Sequence, residues 1–435
     1  MNNKLSILSQ LKLLNTQWIF NYKSENLEKL ITDYITKINC YNDIKIKPII
    51  FIAETESYKF IAAFFASIIT NSCVFLINPH WQIREWQQIE KIVKPDIIFG
   101  NINYNFSSIN QNSPSFTGIM IPTGGTSGKI KFAIHTWETL TASAMGFYQY
   151  FGNLSINSYC CLPLYHVSGL MQVIRSFITE GKLVINSFQN VKNNLEIIED
   201  YQDYFISLVP TQLQFFLDNN PQYLTKFKTI LVGGASIYPH QILLANKHNI
   251  PLALTYGMTE TASGISILKP QEIQENNYNN GQILPHAQVI VNEKKDSIIK
   301  IKSTSLFKGY YPHVKTIDIF ITDDVGYVDK KGYLYILGRN SQKIITGGEN
   351  IFPLEIERAI LATNLVKDVY IIGQKNDYWG EIITAFYVPL NSSIKTEDIK
   401  AKLVSQIANY KIPKVWEKVT EIPRNSQGKV TIINN

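Results

Sequence analysis

Short runs of β-branched, aromatic and other apolar residues recur along the chain at 48–53, 73–77, 96–99, 116–121, 182–185, 205–209, 229–232 and 251–255. Such runs predict strands buried on both faces, not strands with one wet face. Segments with mixed polar and apolar helical spacing separate most of them, for example 83–93 and 239–248. Alternating strands and helices predict an α/β protein with parallel-rich sheets flanked by helices and ligands at strand ends. The longest uncharged run, 60–77, approaches membrane length, but Thr70-Asn71-Ser72 interrupts it. It reads as a buried helix, a turn and a buried strand.

The pattern changes twice. A polar, Asn-rich loop at 270–281 introduces a more β-rich stretch that runs to about Gly338. After Arg339 come a Gly347-Gly348 loop, an expected helix at 353–362, strands near 369–373 and 382–388, and a helix at 396–408. This predicts a large domain over 1–340 and a small α+β domain over 341–435, each within ordinary domain size. No repeat with a period of twenty to fifty residues is visible.

Composition narrows the class. The 435 residues are 45% hydrophobic and 12% aromatic, with only 17% charged and a net charge of +6. That is too apolar for a disordered chain and too weakly basic for a nucleic-acid binder driven by a charged tail. Cys40, Cys73, Cys160 and Cys161 form no CxxC pair, and two are adjacent, so reduced thiols are expected. The first fourteen residues mix Asn, Lys, Ser and Gln among leucines and show no export signal, which predicts a cytoplasmic protein without stable membrane insertion.

The first candidate chemistry follows the apolar run at 116–121: Pro122-Thr123-Gly124-Gly125-Thr126-Ser127-Gly128-Lys129-Ile130-Lys131. Glycines allow close backbone approach, hydroxyls donate hydrogen bonds and lysines supply charge, as a polyphosphate nest needs. The segment fails the P-loop pattern: Thr123 stands where the first glycine belongs, and Ile130 follows Lys129 in place of Ser or Thr. A flexible surface turn is the other reading of this segment alone.

Three further segments occur in a fixed order: Tyr256-Gly257-Met258-Thr259-Glu260; Thr322-Asp323-Asp324-Val325-Gly326-Tyr327 leading into Gly338-Arg339; and Pro423-Arg424-Asn425-Ser426-Gln427-Gly428-Lys429. Together with the glycine-rich loop they resemble the core motifs of the acyl-adenylate-forming superfamily, over nearly the whole chain. The resemblance implies a large domain containing a small β-barrel-like subdomain, a mobile C-terminal cap, and ATP, Mg²⁺ and coenzyme A as co-substrates or cofactors. It implies that Thr123, Gly124, Gly125, Thr126, Ser127, Gly128, Lys129 and Lys131 hold the β- and γ-phosphates, and that Tyr256 lies against adenine. Gly233, Gly234 and Ala235 would border the adenine and acyl pockets, and Gly257 both nucleotide and substrate. Asp324 would accept from the ribose hydroxyls beside Arg339, Thr259 would contact the α-phosphate, and Glu260 would bind Mg²⁺. Lys429, His166 and Thr259 are the implied catalytic residues. Ser341 would be the hinge, and Gly347 and Gly348 would line the pantetheine channel after the cap rotates. Singly, Glu260 also reads as a helix-start carboxylate, Asp324 as a turn acid, and Arg339 and Lys429 as solvated side chains.

Three departures stand out: Gly124 where Ser or Thr is common, Ile130 in place of Pro, and Asp323 in place of Gly. The last leaves the ribose ligand open between Asp323 and Asp324. For the acid, Pro163-Leu164-Tyr165-His166-Val167-Ser168-Gly169-Leu170, the run after Gly257, and Gly347-Gly348-Glu349-Asn350-Ile351-Phe352-Pro353 resemble 2-succinylbenzoate-CoA ligases of menaquinone and phylloquinone synthesis. The short N-terminal region and Pro79-His80-Trp81 resemble the cyanobacterial branch. That resemblance implies a second, unreacted carboxylate needing a cation or several donors; Arg175 and Ser168 are the candidates, with His166 closing over the acyl pocket. A packed structural His166 and a helix-surface Arg175 are the plain alternatives. A ligase for another aryl or fatty acid, or an adenylation domain that loads a carrier protein, remains open. So does the oligomeric state, a homodimer included. The expected partners are a small carboxylic acid, ATP and CoA, not nucleic acid.

Overall fold

The computed structural model describes residues 7–11, 14, 18–20, 24–41, 47–107, 116–124, 129–194, 200–273, 279–292, 297–424 and 430. The first sheet holds β1 (Ile49–Ala53), β2 (Cys73–Leu76), β3 (Ile97–Gly100), β4 (Gly118–Gly124) and β5 (Ile130–His135) in the order β3-β1-β2-β4-β5. All its pairs are parallel except β4–β5. Period-two alternation sends Ile50, Ile52, Val74, Leu76, Ile119 and Ile121 into one core with the helices Ser57–Ile69 and Val167–Ile178. Their neighbours Ile49, Phe51, Cys73, Phe75 and Met120 enter another core with Trp86 and Phe132. Both faces are therefore dry, as the continuous apolar runs require. The run 60–77 is the expected helix, turn and buried strand, and among the described residues no helix is long and apolar enough to cross a membrane.

The second sheet contains β6 (Asn157–Cys160), β7 (Leu183–Ile185), β8 (Tyr201–Leu208), β9 (Phe227–Val232), β10 (Leu252–Met258), β11 (Ser263–Leu268) and β12 (Gln282–Ile283), ordered β12-β11-β10-β9-β8-β6-β7. The strands from β10 through β7 run parallel, and β11 and β12 return antiparallel. The β-rich stretch is a four-stranded antiparallel sheet of β13 (Ala287–Ile290), β14 (Ser297–Ser303), β15 (Phe320–Val328) and β16 (Leu334–Arg339).

Beyond it, β17 (Ile344–Thr346), β18 (Glu349–Ile351), β19 (Val366–Asn376), β20 (Gly380–Pro389) and β21 (Val415–Lys418) build a fourth sheet, β18-β17-β20-β19 with β21 on β20. Its core holds Ile344, Ile351, Ile356, Ile360, Ile371, Ile383 and Ile399, with Tyr238 of the large domain packed against it.

Several boundaries shift, two of them with a visible cause. The strand placed at 116–121 begins at Gly118 and continues to Gly124, because β5 pairs with it in register Thr123↔Lys131 and Gly124↔Ile130. The glycine-rich segment is thus a hairpin connection whose stems are strand. The helix expected over 396–408 ends at Leu403; the Ser405 hydroxyl turns back to Lys402 O, and Ile407 folds against the core.

Candidate active site

Several of the candidate residues sit where parallel strands end. The loop after β6 leads to His166, the residue that opens the helix Val167–Ile178; β9 runs into Gly233-Gly234; β10 runs into Thr259-Glu260. Carboxyl ends of parallel strands are where this architecture leaves a crevice. Here it is a cleft of about 1120 Å³, lined by Thr123, His166, Ser168, Arg175, Gly233, Gly234, Gly257, Thr259, Glu260, Asp324 and Arg339. Eleven positions selected along some 220 residues of chain converge on one cavity. The bulge between Tyr256 and Gly257 turns the end of β10 towards it, and a Cβ on Gly257 would lie 2.0 Å from the Ser263 carbonyl oxygen.

Glu260 is 8% exposed and lies on a single 3₁₀ turn. The Tyr310 hydroxyl donates to its Oε1 at 2.6 Å, and Lys131 Nζ lies 5.2 Å from the centre of the Tyr310 ring. Burial and the neighbouring Glu260 carboxylate push the Tyr310 hydroxyl up, so it remains a donor at neutral pH. Thr259 is held from behind: His135 Nε2 donates to its carbonyl oxygen at 2.7 Å, and His135 Nδ1 is 3.0 Å from Thr139 Oγ1. Burial lowers the His135 imidazole to about 4. The ring is therefore neutral near pH 7, with its proton on Nε2, because a carbonyl oxygen can only accept. Among the described residues no group of three or more His, Cys, Asp or Glu could hold a metal ion. A single carboxylate such as Glu260 suits Mg²⁺, which keeps waters and takes substrate oxygens, and not a dedicated protein cage.

Asp324 and Arg339 face each other across the β15–β16 ladder, with Arg339 Nε 3.4 Å from Asp324 Oδ1. The Tyr256 hydroxyl donates to Asp324 Oδ2 at 2.7 Å. Burial raises the Asp324 carboxyl, against the opposing pull of Arg339 and Tyr256. Strand alternation gives Asp323 a different partner, although it also lines the cleft: it accepts from the Ser341 backbone N–H at 3.0 Å and from the Ser341 hydroxyl. The departure from glycine at 323 thus supplies a contact to the hinge candidate, while Asp324 keeps the buried position.

Arg175 is 6% exposed, not on a helix surface. Its guanidinium carbon lies 4.1 Å from the centre of the Phe147 ring, and Nη2 donates to Ser263 Oγ at 3.2 Å. Nε has no hydrogen-bond partner, and among the described residues no carboxylate pairs with the group. Burial lowers it to about 10, so it is charged at neutral pH. Ser263 is presented by strained backbone: Ala262 and Ser263 both have positive φ, 51° and 84°. Ser143 Oγ clamps the Ala262 carbonyl at 2.6 Å, and Thr261 Oγ1 clamps that of Ser263 at 2.7 Å. His286 is adjacent, its ring 1.9 Å from where a Gly146 Cβ would stand. Burial and Arg175 lower it to about 4. The His166 ring packs 4.7 Å from that of Tyr165 while lining the cleft.

Other candidates lie apart. Ala235, Tyr256 and Ser341 line a second cleft of about 1350 Å³, which shares Gly234, Gly257, Asp324 and Arg339 with the first. Gly124 and Lys131 are strand stems, and Lys129 precedes β5. Gly347 and Gly348, with φ of 57° and 84°, make the turn between β17 and β18 and line neither cleft. Gly125, Thr126, Ser127, Gly128 and Lys429 lie outside the described residues. Sequence reasoning missed Tyr310, Phe147, Ser263, His135 and His286. None of them belongs to a local pattern with the residue it touches; Tyr310 and Glu260 are 50 residues apart.

Residues 102–311 match the AMP-binding enzyme family, and residues 355–429 match the AMP-binding enzyme C-terminal domain. The 2-succinylbenzoate--CoA ligase of Listeria monocytogenes is 32% identical over 324 residues, which span 73% of this chain and 69% of that one. The ligase of the same name from Staphylococcus aureus is 31% identical over 352 residues, 78% of this chain and 70% of that one. Among solved structures, the Bacillus subtilis o-succinylbenzoate CoA synthetase in complex with the acyl-adenylate intermediate OSB-AMP superimposes with a TM-score of 0.82 at 21% identity, covering 99% of this chain and 97% of that one. ATP-bound MatB from Rhodopseudomonas palustris gives 0.81 at 18% identity, covering 97% of each.

Proposed function

The chain belongs to the AMP-binding enzyme family, and we propose from that premise that it is an AMP-forming acid-CoA ligase whose acid is 2-succinylbenzoate. It acts in two steps. A carboxylate oxygen attacks the α-phosphorus of ATP and pyrophosphate leaves; the CoA sulfur then attacks the acyl carbon, losing its proton, and AMP leaves.

In this reading the β4–β5 hairpin, including Thr123 and Lys131, cradles the outer phosphates. Asp324 accepts from the ribose hydroxyls, Arg339 steadies Asp324, and the Tyr256 side chain and Gly233-Gly234 border the base. Thr259, braced by His135, donates to the α-phosphate. Glu260, oriented by Tyr310, would hold Mg²⁺, which when bound offsets phosphate charge. Lys429 offsets the charge that gathers on phosphorus during attack. Residues 341–435 act as a cap that turns about Ser341, carrying Gly347 and Gly348 to the thiol channel, and His166 covers the acyl pocket.

One observation carries the choice of acid: Arg175 is a buried cation in the cleft with an open Nε donor and no carboxylate partner among the described residues. A monocarboxylic substrate would leave it uncompensated, whereas the aromatic carboxylate of 2-succinylbenzoate would complete it. Pyrophosphate release with ATP and Mg²⁺ should be fastest with 2-succinylbenzoate among aryl, succinyl and fatty acids. Turnover of the monocarboxylic acids with none of 2-succinylbenzoate would overturn the assignment.

A further inference from the structure

The second cleft holds a side-chain cluster that the chemistry above does not use. Tyr238, which precedes the helix Pro239–Lys247, donates its hydroxyl to Asp368 Oδ1 on β19 at 3.0 Å. Arg424 grips the same carboxylate twice, Nη2 to Oδ1 at 2.8 Å and Nε to Oδ2 at 3.2 Å. Its guanidinium carbon is 5.6 Å from the centre of the Tyr238 ring. One tyrosine of the large unit thus meets, by its hydroxyl and its ring face, both members of an ion pair that belongs to the C-terminal unit. Burial and Asp368 push the Tyr238 hydroxyl up, which keeps it a donor.

Arg424 does more than pair with Asp368. It forms an antiparallel bridge with Val430, so the two stems of the segment carrying Lys429 are tied together at an anchored residue. Arg424 and Val430 line the cleft that also reaches Gly257, Asp324 and Arg339, which in turn line the first cleft. Two further polar contacts between described residues of the units involve the strands that lead into the hinge: Ser341 with Asp323 on β15, and Arg358 Nη1 to the Ile336 carbonyl on β16 at 3.2 Å. A contact beside a pivot resists rotation weakly; Tyr238 belongs to a different element and bears on rotation directly.

Resting on the adenylate-forming reading, we propose that Tyr238, Asp368 and Arg424 form a latch that holds the C-terminal unit in the orientation for acyl-adenylate formation and fixes the stems of the Lys429 segment during that step. They are positioning residues. The contact suits a reversible device, because Asp368 and Arg424 each keep 20% of their side-chain surface exposed, and one charge-assisted hydrogen bond in partial solvent is strong enough to bias an orientation without locking it.

The test separates the half-reactions. Tyr238→Phe removes only the hydroxyl and keeps the ring. It should slow pyrophosphate release with ATP, Mg²⁺ and 2-succinylbenzoate about tenfold, while thioester formation from supplied acyl-adenylate and CoA stays unchanged or rises. Without ligands, spin labels on K226C and S393C in a C40S background, all exposed positions, should report a broader distance distribution in the variant. Equal losses in both half-reactions, as a purely structural role would give, overturn the latch, and so does an unchanged distance distribution. If the parent enzyme releases no pyrophosphate with any acid, the adenylate reading fails, and the distances alone decide whether Tyr238 holds the unit.

Discussion

A guanidinium that is 6% exposed, stacked on Phe147 and short of one acceptor, is an incomplete ion pair. Taking a charge out of water costs several kcal/mol unless an anion or hydrogen bonds replace the solvent, so Arg175 is a demand for a ligand more than a packing element. A hydrogen bond to a charged group is worth about 1.5–3 kcal/mol, roughly 10- to 150-fold in affinity or rate. Arg175→Met, which keeps the apolar stem over Phe147, should lower kcat/KM for 2-succinylbenzoate by that factor and for a monocarboxylic analogue by far less. Steady-state kinetics with the two acids checks this, and equal losses would remove Arg175 from acid recognition. The same residue marks a limit of sequence reading. Its position on the helix Val167–Ile178 was legible, but helix surface and cleft wall differ only by which side of that helix faces the second sheet.

At the level of elements, β5 and the end of β10 meet through His135, whose imidazole bonds the Thr259 carbonyl oxygen. Its folded value of about 4 lies below the ordinary 6.5, so between those limits the unfolded chain binds more protons than the folded one. Stability therefore rises with pH through this window, is fully present above about 6.5 and is lost as pH falls towards 4. The full shift corresponds to about 3 kcal/mol. His286, also lowered to about 4, acts in the same direction. Glu357, raised by burial to about 7, acts in the opposite one, since the folded state then holds the extra proton. The informative quantity is thus a difference. Between pH 6.5 and 5, thermal unfolding midpoints of the parent should fall more steeply than those of His135→Gln, and parallel slopes would refute a neutral imidazole at 135. β5 is one of the strands the apolar pattern did not mark. Ile130, Lys131, Phe132, Ala133 and Ile134 do not form a plain apolar run, and only pairing with β4 fixes them as a strand.

For the whole molecule, the proposed division of labour between a large unit and a rotating cap predicts that Lys429→Ala abolishes acyl-adenylate formation, by about a hundredfold or more if the lysine supplies the usual worth of a charge at the transition state. Thioester formation from supplied acyl-adenylate should survive, because in that proposal the lysine serves the site in one orientation only. Near-normal pyrophosphate release by that variant would refute the assignment. How far this was readable from the chain depends on the range of the physics involved. Apolar periodicity is local: it reports which faces must leave water, and so it located eight of the twelve strands in the two parallel-rich sheets and the buried helix within 60–77, but not β5, β6, β11 or β12. The candidate groups, the Gly/Thr/Ser/Lys loop proposed for phosphates, Glu260 and Arg175, were equally visible in the sequence. Pairing is not local. Glu260 with Tyr310, Tyr256 with Asp324, Arg175 with Ser263 and Tyr238 with Asp368 span 50, 68, 88 and 130 residues. Such contacts form only after whole elements have closed on one another, and alternation along β15, which separates Asp323 from Asp324, assigns partners only once both neighbouring surfaces exist. The sequence by itself determined the layers and the inventory of groups; the tertiary structure decided which groups share a cavity, because that depends on how the layers pack and not on spacing along the chain.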